Sequence, residues 1–209
     1  MAGSILIPRQ FSLTQAEREL SQFKTWIDAH PSSGEKAIVD ELQNRLDLSM
    51  LIQLAAGRGW PDCYKFEFPL QGAVRTDLVT GSTVNRHFVL VEFEGAENFS
   101  IFKQKRAQNQ QMPGWAVAVE HAFSQVSDWT WIKNDNQHSA LFQSAFGMPH
   151  MTETYLIVCG RDHFLDATDL SRLAWRCDHT QVAGLKILFW TYDQLHNACS
   201  NALSAYRTP

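Results

Sequence analysis

The 209 residues carry a formal charge of −4 and 44% hydrophobic content, which suits one domain with a full core and excludes a disordered chain. The mildly acidic balance also excludes a protein that holds nucleic acid by bulk charge alone, though it leaves room for a locally basic cleft. No apolar run approaches the roughly 20 residues of a membrane helix, and the start MAGSILIPRQ lacks the basic and apolar stretches of a secretory signal.

The cytoplasm is therefore the expected compartment, with no membrane partner. Cys63, Cys159, Cys177 and Cys199 are scattered, without a CxxC pair, and read as reduced thiols.

In chain order, Thr14 and Glu17 have the spacing of a capping box, followed by Leu20, Phe23 and Ile27 at helical spacing. This predicts a first helix ending at His30-Pro31. Ser32 with Glu35 predicts a second, with Ile38, Leu42 and Leu46 along one stripe. A third is expected from Ser49 to Ala56, stopped by Gly57-Arg58-Gly59. The period then becomes strand-like: Tyr64, Phe66 and Phe68 alternate with Lys65 and Glu67, until Pro69 stops the run.

Two further strands are expected, one carrying Asp77 and one spanning His87 to Glu94, joined by a polar turn at Thr80, Gly81, Ser82 and Thr83. A helix is predicted from Pro113 to Ser127, with Trp115, Val119, Ala122, Phe123 and Val126 as its apolar stripe. Asn134 to Met151 reads as an irregular connection. Tyr155 to Val158 and Leu185 to Trp190 are buried-type strands separated by a helix at Leu170, Leu173 and Ala174. Thr191 and Gln194 cap a final helix.

The expectation is an α/β sandwich around one mixed sheet, a single domain over 1–209. Residues 1–60 form a helical part packed on a core of sheet and flanking helices at 61–209.

The chemistry concentrates on the strand from His87 to Glu94. Phe88, Leu90, Glu92 and Glu94 fall on one face, and Val89, Val91 and Phe93 on the other. That pattern predicts an interior strand with two carboxylates at its end, and the hairpin brings Asp77 alongside. Three acids on an apolar scaffold are costly unless a cation neutralises them. A divalent metal is the simplest such cation, because Mg²⁺ takes one or two carboxylates plus waters and a phosphate oxygen. An edge hairpin with solvated acids fits the pattern as well. The basic stretch of Lys103, Lys105 and Arg106, with Arg86 upstream, reads either as a solvated segment or as the lining of a basic groove.

Asp77, then Glu92-Phe93-Glu94, preceded by a helical Glu35, resembles the PD-(D/E)xK nuclease superfamily. The runs VRTDLVTG and FVLVEFEGA, then SIF, GWAVAVEHAFSQVSDW and TYDQL, resemble the Shedu-type immune nuclease domain over roughly residues 14 to 200. The resemblance implies a restriction-endonuclease-like (PD-(D/E)xK) core with a mixed central sheet flanked by helices. It also implies Mg²⁺- (or Mn²⁺-) dependent cleavage of DNA in defence against bacteriophage, by a homo-oligomer that a phage component triggers.

Carried onto this chain, Asp77 and Glu92 match the metal-binding acids, Glu35 the first-helix acid and Gln125 a polar residue on the helix after the strands. Glu94 stands where the superfamily has its lysine, so Lys103, Lys105 or Lys65 must supply the positive charge, or a second metal must. The implied catalytic set is Asp77, Glu92, Glu94, Glu35 and Gln125, while His121, a general base by chemistry, reads as structural because a lone histidine more often is, and stays outside the set. The alternative is a catalytically inactive module of the same fold that binds nucleic acid or a phage protein. A hydrolase of small molecules would instead show an apolar pocket.

Overall fold

The computed structural model describes residues 6–72, 74–104, 112–147 and 150–207. A short strand β1 (Ile7–Pro8) precedes helices α1 (Leu13–Ala29), α2 (Glu35–Gln43) and α3 (Leu46–Ala55). Strands β2 (Cys63–Leu70), β3 (Val74–Ser82) and β4 (His87–Phe93) follow, then α4 (Val117–Asn136) and α5 (Ala140–Phe146). The last third holds β5 (Thr152–Val158), α6 (Ala167–His179), β6 (Gln181–Val182), β7 (Leu185–Trp190) and α7 (Tyr192–Ala205). No described helix is long and apolar enough to cross a membrane.

The described strands form one mixed sheet in the order β1-β2-β3-β4-β5-β7-β6. β1 to β4 are antiparallel, β4, β5 and β7 run parallel, and β6 turns back antiparallel on β7. The expected α/β class with helices on a mixed sheet holds. α1, α2, α3 and α7 cover one face, packing on Leu78, Val89, Val91, Phe93, Leu156 and Val158. α4, α5 and α6 cover the other, against Val79, Phe88, Leu90, Tyr155, Ile157 and Ile187.

β4 alternates between the two cores as its sequence predicts. Its five buried apolar side chains, at about 1.5–3 kcal/mol each, make it the anchor of both layers. Such burial also lets the strand tolerate an acid near its end.

Several boundaries differ from expectation. The cap of α1 is Ser12, whose hydroxyl accepts from the Gln15 N–H, so Thr14 lies inside the helix. α2 starts from Gly34 without a side-chain cap, and the Ser32–Glu35 box does not form. Packing fixes that start instead: the Ser33 hydroxyl donates to His30 O, and Ser33 O accepts from the Ala96 N–H.

Leu46 opens α3 rather than extending α2, because buried Asp47 accepts from Arg9 and from the Ser12 N–H and pins that corner. The Thr191–Gln194 capping box is present as read. Thr80 to Ser82 belong to β3, and the turn lies at 83–86. Gly81 is needed there because a Cβ would come within 2.1 Å of the Phe88 ring.

β2 runs through Pro69 to Leu70. Trp115 precedes α4, bridged to Phe102, and α4 continues to Asn136. Much of the expected irregular connection is helical, since Phe142 and Phe146, one turn apart, bury together and Ser139 caps α5.

Candidate active site

β4, β5 and β7 end in register, with Phe93 beside Val158 and Val158 beside Trp190. Ligands of open α/β sheets bind outside such carboxyl ends. The chain leaving β4 is held firmly here. The Glu94 N–H donates to Val158 O at 2.9 Å, and the Gly160 N–H to Gly95 O at 2.9 Å. The buried Tyr192 hydroxyl donates to Glu94 O at 2.6 Å.

Asp77 sits where the sheet changes character. Phe66 pairs with Leu78 and Phe68 with Thr76, leaving Glu67 and Asp77 as an unpaired step between them. Glu67 adopts φ 49°, a left-handed conformation that costs a side-chain-bearing residue about 1–2 kcal/mol. The alternation reverses across this step: Tyr64 and Phe66 face the core under α1, whereas Phe68 and Leu70 face the one under α4. On the other side, the β3–β4 ladder stops at Leu78–Val91. Asp77 therefore reaches sideways along the sheet, and its Oδ2 accepts from the Phe93 N–H at 2.7 Å. That carboxylate stands in for the missing ladder partner and ties the two strand ends together.

Glu92 and Glu94 project toward α4. Glu92 is 4% exposed; its Oε1 accepts from Gln125 Nε2 at 2.6 Å, and its buried Oε2 has no partner among the described residues. Glu94 is 6% exposed, and its Oε1 lies 3.1 Å from His121 Nδ1. His121 and Gln125 are one turn apart on α4, so one helix face serves both acids.

Burial pushes the Glu92 carboxyl well above its ordinary value, reinforced by the charges of Asp77, Glu94 and Glu35 and opposed by the Gln125 bond. Burial likewise raises Asp77 against the opposing Phe93 N–H, with Glu35, Glu67 and Glu94 adding to the rise. Glu94 is raised by burial too, with His121 opposing. Glu92, Glu94 and His121 each offer a ligand atom within 4.8 Å of the others. Among the described residues this trio is the group that could hold a metal ion, and Asp77 is not part of it.

Beside these acids opens a cleft of about 1120 Å³, lined by Glu35, Glu94, Glu97, Phe99 and Lys103 among others. Glu35, the first residue of α2, is exposed and lies at this cleft. Glu97 folds over Gly95, where a Cβ would come 2.9 Å from its Oε2.

Of the candidate cations, Lys103 lines the cleft. Lys65 pairs with Val79, which pairs with Leu90, away from the strand end. Arg86 lies before the opposite end of β4, about 26 Å from Glu94 at 3.3 Å per residue. Lys105 and Arg106 fall outside the described residues. The structure thus gathers Glu92, Glu94 and Gln125, sets Asp77 against the strand end and places Glu35 at the rim. Sequence reasoning did not single out Glu97 or pair His121 with Glu94, although the one-turn spacing of His121 and Gln125 was a readable signal.

A family model described as Shedu protein SduA, C-terminal, matches residues 32–196, which include every residue of this site. No curated protein matches the chain.

Proposed function

The chain belongs to the family of the Shedu protein SduA, C-terminal region, and from that premise we propose that it is a metal-dependent DNA endonuclease of anti-phage defence. It would hydrolyse phosphodiester bonds on a restriction-endonuclease-like (PD-(D/E)xK) core. The observation that carries this reading is Glu92, buried beside a second acid with one oxygen that has no partner among the described residues. A carboxylate in that position is costly unless a cation accompanies it.

Glu92 and Glu94 are donors of the kind that Mg²⁺ or Mn²⁺ takes. Asp77 keeps its Oδ1 free of hydrogen bonds among the described residues and is the further ligand we assign. When bound, the ion supplies charge neutralisation at the phosphate and lowers the pKa of water.

The chain's own residues do the positioning. Gln125 fixes the carboxylate plane of Glu92, the Phe93 N–H holds Asp77, and Tyr192 holds the main chain of Glu94. Lys103 offers a cation to a phosphate lying in the cleft, and Glu35 sets the acidic rim that a metal must offset. The cleft is open and its rim charged, which suits a polymer better than a small apolar substrate. DNA as substrate, a homo-oligomeric assembly and a phage component as trigger belong to the same reading.

A second reading, a binding module that does not cut, draws on one observation. Among the described residues no lysine pairs with Glu92 or Glu94, and the group beside Glu94 is a histidine. Incubating linear and supercoiled DNA with Mg²⁺ or Mn²⁺, wild type beside Glu92→Ala, separates the two. We expect metal-dependent cutting that the substitution removes by a factor of at least about 10². Retained DNA binding without cutting, in a folded and metal-loaded wild type, would favour the module.

A further inference from the structure

We infer that His121 is a nitrogen ligand of this site, so that it selects a divalent transition ion such as Mn²⁺ over Mg²⁺. The inference deepens the metal reading above and rests on it. Two ligands at about 2.1 Å from one ion lie about 3.0 Å apart in adjacent positions and about 4.2 Å apart in opposite ones. His121 Nδ1 and Glu94 Oε1 are 3.1 Å apart, the spacing of neighbours around a common ion. The ligand atoms of the trio all fall within 4.8 Å of one another, near enough for an ion to draw them together through the exposed His121 side chain.

An independent observation is the buried Oε2 of Glu92, a donor with no partner among the described residues. Its sister oxygen is already committed to Gln125. The backbone arrangement fits as well. Glu92 and Glu94 share a strand face, and His121 enters from α4 through a side chain 59% exposed, free to turn onto an ion. Bound to an ion through Nδ1, the ring would carry its proton on Nε2 toward solvent, the tautomer a neutral imidazole ligand requires.

The donor set decides the metal. Carboxylates alone serve Mg²⁺, which demands near-ideal octahedral oxygen ligands, whereas imidazole nitrogen shifts preference toward transition ions. His121 thus occupies the neighbourhood of Glu94 that the absent lysine would otherwise serve, as a ligand rather than as a fixed charge.

The test uses the full chain and the metal alone. Calorimetric titration should show Mn²⁺ binding about tenfold or more tighter than Mg²⁺. Pulsed electron paramagnetic resonance of the bound Mn²⁺ should show coupling to one ¹⁴N. In His121→Ala, checked for native circular dichroism, the nitrogen coupling should vanish and Mn²⁺ affinity fall about tenfold, while Mg²⁺ affinity changes less than about twofold. Bound Mn²⁺ without nitrogen coupling in the wild type would overturn this inference and leave the metal reading intact. So would equal weakening of both ions by the substitution. A wild type that binds neither ion would overturn both.

Discussion

Arg161, three residues beyond β5, and Glu92, one residue before the end of β4, are each 4% exposed, and the parallel register brings their strand ends together. Their surroundings differ in sign and completeness. Arg161 donates to Asp193 from Nε at 3.0 Å and Nη2 at 2.9 Å, to Asp28 at 2.8 Å and to Ile27 O at 2.9 Å. Asp193 also accepts from the Asp162 N–H, and Asp162 accepts from the Thr191 hydroxyl. Opposite charges meet there, and the guanidinium's four contacts join α1, the end of β5 and α7. Around Glu92 the charged neighbours are acids, and one of its oxygens has no partner among the described residues. A balanced buried charge clamps structure; an unbalanced one marks a place where something positive belongs.

Breaking the balanced cluster should cost most. Arg161→Met removes the cation that joins α1 to the start of α7 and leaves Asp193 with the Asp162 N–H alone, with an expected loss of about 3–5 kcal/mol in urea unfolding. The two clusters should also differ in pH response. Burial works against the Asp193 carboxylate, but the Arg161 guanidinium holds its pKa below the ordinary value. Its contribution is therefore present above the unfolded carboxylate range and is lost as pH falls through the lower folded value. A wild-type loss of stability on acidification that persists unchanged in Arg161→Met would refute this assignment.

The unbalanced cluster has the opposite sign. The folded pKa of Glu92 is raised, chiefly by burial, so the metal-free fold loses stability as pH rises beyond the unfolded value of about 4.3. Glu92→Gln removes that ionisable group, while the amide oxygen still accepts from Gln125. At pH 8 without metal we expect it to stabilise the protein by about 2 kcal/mol, on the order of 5 °C in Tm, and to flatten the pH dependence. Added Mn²⁺ should stabilise the wild type and not the variant. A metal-free variant less stable than wild type at pH 8 would mean that the protein already neutralises the acid itself.

How much of this was legible depended on how local the cause was. β4 declared its two faces because alternation is a property of the strand alone. The Thr191–Gln194 box was equally local. Thr14–Glu17 and Ser32–Glu35 have the same spacing, yet Ser12 and Gly34 are the caps, since packing at Asp47 and at Ala96 sets where those helices begin. α5 hid behind its polar neighbours, although Phe142 and Phe146 stood at helical spacing. Asp77, Glu92 and Glu94 could be named from the sequence, but not the reversal at Glu67 that turns Asp77 along the sheet. That reversal exists only between paired strands.

Asp77 therefore offers the finest division between clamp and site, because it belongs to both. Its Oδ2 serves the strand end through Phe93, while its charge adds to that around Glu92. Asp77→Asn keeps an oxygen acceptor for the Phe93 N–H and removes the charge, so stability should change by less than about 1 kcal/mol, whereas Asp77→Ala should lose about 1–2 kcal/mol. Metal binding should divide differently. A neutral amide is a poorer ligand than a carboxylate, so we expect both substitutions to weaken Mn²⁺ about tenfold. Unchanged Mn²⁺ affinity in Asp77→Asn would confine Asp77 to the strand end and leave Glu92, Glu94 and His121 as the complete ligand set. Equal destabilisation by Asn and Ala would mean that the Phe93 N–H requires a full negative charge, and that the clamp and the site share one electrostatic origin.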